Sequence, residues 1–176
     1  KRQLHDRAMN ASNDMGDRKD MLQEALMAQR QMLIDAIGKP GEEIPQAFTP
    51  YKEVLDVYDE GLELPDDVTI IWPDDNYGYM KRLSSPKEQK RSGRSGVYYH
   101  SSYLGKPHDH LWMNTISPTL MYEELRKAYD ATADRIWLLN AGDIKSCEFA
   151  VDYFLTMAFD IDSFNFERAA NYRTEW

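Results

Sequence analysis

Two rhythms of apolar residues alternate along this chain. From Arg18 to Ile37, the residues Met21, Leu22, Ala25, Leu26, Met32, Leu33, Ala36 and Ile37 recur at three- and four-residue spacing. That predicts a helix, with Asp17 as its cap and Gly38 and Pro40 as its stop. Val68-Thr69-Ile70-Ile71-Trp72 and Arg135-Ile136-Trp137-Leu138-Leu139-Asn140 are instead continuous apolar runs without alternation, the pattern of strands covered on both faces. Ile44 to Thr49 and Gly96 to Ser101 read as two further strands, and residues 1–6 as the exit of another. A brief helix is predicted from Val54 to Tyr58, ended by Gly61. Others are predicted from Ser117-Pro118 onward, at about 145–158 and at 162–175.

About five strands therefore alternate with helices, and no Asn-Gly turn signals a hairpin between them. Such alternation predicts an α/β fold with a parallel sheet. Each polar cluster follows a strand: His5/Asp6, Tyr51/Glu53, Asp74/Asp75/Asn76, Tyr99/His100 and Asn140/Asp143. Carboxyl ends of several strands build the active site of a (β/α)8 barrel, and five strands are too few to close one. The chain is therefore read as the later part of a TIM-type barrel, cut from a longer polypeptide.

Composition narrows the function classes. The 176 residues are 42% hydrophobic and 12% aromatic, enough for a packed core. Thirty acidic against 21 basic residues give a net charge of -9, which repels a phosphate backbone and argues against a nucleic-acid partner. No run reaches the roughly 18 apolar residues of a membrane span. The single cysteine, Cys147, lies in an apolar pattern and reads as a buried structural thiol.

Acids at successive strand exits, Asp6 and Glu53, supply the two carboxylates of glycosidic hydrolysis, one donating a proton to the leaving oxygen and one activating water or attacking the sugar. Trp72, Tyr77, Tyr79, Tyr98 and Tyr99 add flat faces of the kind that hold pyranose rings. Plainer readings exist for several of these residues. Arg2 and Asp6 also suit a surface ion pair, His100 a hydrogen-bonded half-buried histidine, and Asp74-Asp75 a cap on the following turn. The run from Lys87 to Arg94 suits a solvated loop in the aperiodic stretch 74–96. His108-Asp109-His110 lacks further ligands at useful spacing and reads as loop polarity rather than a metal site.

Arg2-x-x-His5-Asp6 with Ala8-Met9, then Pro45-Gln46-x-Phe48-x-Pro50-Tyr51-Lys52-Glu53-Val54, Trp72-x-Asp74-Asp75-Asn76-Tyr77-Gly78, Gly96-Val97-Tyr98-Tyr99-His100 and Leu139-Asn140-x-Gly142-Asp143-Ile144-Lys145 jointly resemble the family 115 glycoside hydrolases. The resemblance implies an α-glucuronidase that removes α-1,2-linked glucuronic acid or its 4-O-methyl ether from xylan branches, with inversion and with neither cofactor nor metal. By the same resemblance Asp6 and Glu53 are the catalytic pair. Glu53 is favoured as general acid and Asp6 as general base, the reverse remaining open. Arg2, His5, Tyr51, Asn76, Tyr99 and His100 bind substrate, Arg2 as the fork for its carboxylate. Residues 1–160 are expected in the barrel and 161–176 in a helix entering a following helical domain. The expected partner is a polysaccharide or oligosaccharide bearing glucuronic acid, with a homodimer left open, and the expected location extracellular or periplasmic. Two other classes compete. One is a non-catalytic carbohydrate-binding or scaffold protein derived from such a barrel; the other is a metal-dependent hydrolase using His5, His100, His108 or His110.

Overall fold

The computed structural model describes residues 15–105, 109–110 and 114–176, so Arg2, His5, Asp6 and His108 lie outside the described residues. The chain divides at Val68/Thr69 into two compact units.

In the first unit, helix α1 (Met15–Ile37) precedes the two-residue strand β1 (Ala47–Phe48) and helix α2 (Glu53–Asp59). Asp17 sits inside the first turn of α1 rather than capping it, where its charge meets the positive end of the helix dipole. Only part of the expected apolar stripe is used. Leu22 and Leu26 pack on a small core of Phe48, Leu62 and Val68, whereas Met21, Met32 and Ile37 stay exposed. Buried Arg30 presents its guanidinium fork to Asp67, Nη1 to Oδ2 and Nη2 to Oδ1, both at 2.9 Å. The strand expected over 44–49 shrinks to Ala47–Phe48 because Gly41–Glu43 form a 3₁₀ turn and Pro45 and Pro50 flank what is left.

The second unit is built on three parallel strands: β2 (Thr69–Pro73), β3 (Ser95–His100) and, after helix α3 (Pro118–Asp130), β6 (Trp137–Asn140). The register pairs Pro73 with Tyr98 and His100 with Asn140, so the three strands end along one edge of the sheet. Helices α4 (Glu148–Phe159) and α5 (Phe166–Glu175) follow β6. Side chains alternate across β3: Val97 and Tyr99 enter the core with Leu125, Ala128, Tyr153, Phe154 and Met157, all at most 1% exposed. Burial of each large side chain contributes roughly 1.5–3 kcal/mol. Helix α5, placed by sequence at the entry to another domain, joins this core through Ala169 and Tyr172, with the Tyr172 ring 5.0 Å from that of Tyr153.

Two connections differ from expectation. The sequence predicts a polar loop around His108-Asp109-His110, whereas β4 (Leu104–Gly105) pairs antiparallel with β5 (Asp109–His110), a short pairing with no Asn-Gly signature. The stretch from Asp74 to Arg94 carries no α-helix, but it is tied down to the sheet. The Trp72 Nε1–H donates to Ser84 Oγ at 2.8 Å, Ser84 Oγ donates to Ser95 Oγ at 2.9 Å, and Thr69 Oγ1 donates to the Gly93 carbonyl at 2.9 Å. Within the basic run Lys87 and Lys90 face solvent, while Glu88 is buried and accepts from Arg82 Nη2 and the Ser85 N–H. Cys147 is buried at the start of α4, as expected of a structural thiol.

Candidate active site

Chemistry-bearing residues stand at the strand exits of both units. In the first, the chain leaves β1 through a tight turn in which the Tyr51 N–H donates to the Thr49 carbonyl at 2.9 Å, and Val54 N–H to the Tyr51 carbonyl at 3.1 Å. Lys52 takes φ +53 and ψ -124, a conformation that costs a side-chain-bearing residue of order 1–3 kcal/mol. It sets Glu53 as the first residue of α2, exposed, beside half-buried Tyr51. Strain spent one residue before a candidate acid is what a constrained functional turn leads one to expect.

In the second unit a polar network runs across three strand exits. Asp74, immediately after β2, is 2% exposed and accepts at both carboxylate oxygens. Oδ2 takes the His100 N–H at 3.0 Å; Oδ1 takes the Asn76 N–H at 3.0 Å and faces His100 Nδ1 at 2.6 Å. The His100 ring lies 4.7 Å from the Tyr98 ring and edge-on to Tyr103 at 5.7 Å. On the neighbouring strand Asn140 Nδ2 donates to the Tyr98 hydroxyl at 2.9 Å. Asn76, Tyr98, Tyr103 and Asn140 are half-buried, whereas the His100 side chain is 2% exposed. This buried imidazole is held on one side by a carboxylate and flanked by partly open tyrosines.

The turn carrying Asn76 is preorganised. Asp75 Oδ1 accepts the Tyr77 and Tyr79 N–H groups at 2.8 and 3.1 Å, and Glu124 of α3 takes the Met80 N–H at 2.8 Å. The capping role read for Asp74-Asp75 is thus present. Asn76 itself has φ +75, a left-handed conformation that asparagine tolerates better than most residues.

Tyr99, expected among the substrate-binding groups, is placed elsewhere. It is fully buried on the helix-facing side of β3, stacked on Phe154, and its hydroxyl donates to the Gly78 carbonyl at 2.8 Å. Burial, and after it the Asp74 carboxylate, push that hydroxyl far above the usual tyrosine range, so it remains a donor. Trp72 likewise has no exposed face; its ring lies under the Arg82 guanidinium at 4.7 Å. The structure brings Tyr98 and Asn140 to the network instead. Strand parity is the signal that finds Tyr98, since a residue two before His100 shares its face and the residue between does not, while Asn140 already stands among the polar clusters at strand exits. Among the described residues no three or more His, Cys, Asp or Glu side chains are arranged to hold a metal ion, and no helix is long and apolar enough to cross a membrane.

The model of glycosyl hydrolase family 115 matches residues 2–176. This chain belongs to that family. Family 115 membership agrees with the mixed α/β architecture and its parallel strands, a segment consistent with the later part of a (β/α)8 barrel. Among solved structures the chain is similar to a family 115 4-O-methyl-α-glucuronidase with specificity for decorated arabinogalactans, at 44% identity and a TM-score of 0.84. The likeness covers 88% of this chain and 20% of that enzyme, so this family 115 chain spans about a fifth of its solved relative. No curated protein matches it.

Proposed function

We propose that this family 115 chain supplies the later strands of the catalytic barrel of an α-glucuronidase, which removes glucuronic acid or its 4-O-methyl ether from polysaccharide branches by an inverting, two-carboxylate mechanism. The observation that carries the reading is the 44% identity, over 88% of the chain, to a 4-O-methyl-α-glucuronidase. In this scheme Glu53 protonates the leaving glycosidic oxygen while Asp6 activates the attacking water. The two carboxyls stand roughly 6.5–9.5 Å apart in the assembled enzyme to leave room for that water. Arg2 clamps the substrate carboxylate, its fork matching the two oxygens. Tyr51, Asn76, His5 and His100 bond the sugar hydroxyls, and Tyr98 takes the place that sequence assigned to Tyr99. Residues 161–176 lead on toward a helical domain, and the enzyme acts outside the cytoplasm, where such polysaccharides are met.

Two substrates fit. Glucuronoxylan follows from the motif resemblance, and decorated arabinogalactan from the specificity of the solved relative. The test is release of (4-O-methyl)glucuronic acid from each by the full-length polypeptide. Release from xylan alone supports the first, and release from arabinogalactan alone the second. No release from either by a folded protein overturns the activity.

Asn76 allows its backbone and side-chain roles to be separated. Asn76→Gly keeps the left-handed turn and is expected to leave the unfolding midpoint unchanged while lowering kcat/KM by about tenfold, the loss of one hydrogen bond to substrate. Asn76→Ala is expected to add a stability cost of about 1–2 kcal/mol from the same φ. A glycine variant with full activity would remove Asn76 from the site.

A further inference from the structure

We propose that Tyr77 is a binding face for a neutral sugar ring of the polymer that carries the uronic acid, on the solvent side of the candidate site. The assignment rests on the glycosidase reading above. Of the five aromatic residues expected to hold pyranose rings, Trp72 and Tyr99 are buried and Tyr98 is joined to Asn140. Tyr77 is 42% exposed and follows directly on Asn76, a proposed contact of the uronic acid. Its ring meets that of Tyr103 at 6.0 Å and 67°, Tyr103 meets His100 at 5.7 Å, and His100 meets Tyr98 at 4.7 Å. Four rings thus form one row, which passes from the buried imidazole through half-buried Tyr103 to Tyr77 in solvent. Tyr79 shares the turn and is also exposed, but the ring braced on the row is that of Tyr77.

An exposed tyrosine alone needs no functional account, but this one is held in place. The Tyr77 N–H donates to Asp75 Oδ1, the next carbonyl, Gly78, accepts the Tyr99 hydroxyl, and Glu124 takes the Met80 N–H, each at 2.8 Å. Gly78 has φ +94, and a Cβ there would meet the Tyr99 hydroxyl at 2.9 Å, so the turn is packed directly on β3. In an edge-to-face pair each ring uses at most one of its faces, and Tyr77 keeps a flat face that Tyr103 does not cover. A fixed amphipathic ring with two side-chain torsions binds at little cost in entropy. A sugar presents the matching surface, with C–H groups on the face of its ring and hydroxyls at its edge. Which sugar follows from the order of the row. The branch uronic acid goes to the polar contacts at Asn76, while the polymer it leaves stays in solvent, on the side where Tyr77 stands.

The test uses the full-length polypeptide, glucuronoxylan and glucuronic-acid-bearing arabinogalactan as substrates, and free glucuronic acid as a product inhibitor. Tyr77→Ala is expected to raise KM roughly tenfold on the polysaccharide that wild type cleaves, with kcat nearly unchanged. The inhibition constant of glucuronic acid, which lacks the polymer, is expected to stay at its wild-type value. Tyr77→Phe keeps the flat face and should retain the wild-type KM. An alanine variant with wild-type KM overturns the proposal. So does one in which KM and the inhibition constant rise together, the sign of a disturbed turn rather than a lost sugar contact. A phenylalanine variant as weak as alanine overturns it too, by assigning the effect to the hydroxyl. A wild type that folds but releases no uronic acid defeats the glycosidase reading instead, and Tyr77 is then read by electrophoresis in gels cast with either polysaccharide. Weaker retention of the alanine variant supports the sugar face and names the polymer; equal retention in both gels overturns it.

Discussion

Replacing Gly96 by alanine is expected to part β3 from β6, destabilise the sheet by about 3 kcal/mol and lower the unfolding midpoint of the full-length polypeptide. Gly96 lies in the second position of β3, opposite Ile71 of β2. A methyl group there would be driven into the Ile136 carbonyl. That carbonyl also accepts the Val97 N–H at 2.9 Å, so it cannot swing aside without losing a bond of the sheet. Backbone meets backbone, and no flexible side chain is available to give way. Thermal unfolding followed by circular dichroism checks the expectation. An unchanged midpoint would mean that the two strands do not approach as described.

Glu53→Gln is expected to leave the fold intact and lower kcat by about 100- to 10,000-fold, the contribution of one general acid or base. Glutamine keeps the side chain's shape but cannot shuttle a proton. Glu53 is exposed at the first turn of α2, and its replacement should cost little stability. Asp6→Asn is expected to fall by a comparable factor, since both carboxylates act in one displacement. The two variants also resolve which group is the acid. With an activated aryl glucuronide, whose leaving group needs no protonation, the general-acid variant recovers much of its rate and the general-base variant does not. Full activity in Glu53→Gln on the natural polysaccharide would exclude it from the chemistry.

Much of this was legible in the chain. The unalternated runs at Val68–Trp72 and Arg135–Asn140 became β2 and β6 within two residues, but only β2 is covered on both faces as such a run predicts; β6 is half-buried and leaves Leu138 exposed. Helices α1 and α3 followed from their three- and four-residue spacing. The polar clusters that follow each apolar run mark the strand exits, and the network of Asp74, His100 and Asn140 stands there.

What escaped depended on direction and on partners. Aromatic residues beside polar groups were all counted as candidate sugar platforms, but composition does not say which face of a strand a ring takes. Tyr99 and Trp72 went to buried positions, while Tyr98 stayed with His100. Asp74 read as a cap, a role it fills; its bond to His100 links residues 26 apart and no local pattern signals it. The β4–β5 pairing is likewise too short to carry a period, and the 74–94 stretch is held by hydrogen bonds among Trp72, Ser84 and Ser95 rather than by apolar spacing.

The most direct measurement on the central claim is 1H NMR of the full-length polypeptide acting on glucuronoxylan and on glucuronic-acid-bearing arabinogalactan, watching which anomer of the uronic acid appears first. An inverting α-glucuronidase releases the β-anomer, with the α-anomer rising later by mutarotation. Initial release of the α-anomer would contradict the inverting two-carboxylate scheme, and a folded protein that releases no uronic acid from either polysaccharide would contradict the glycosidase itself.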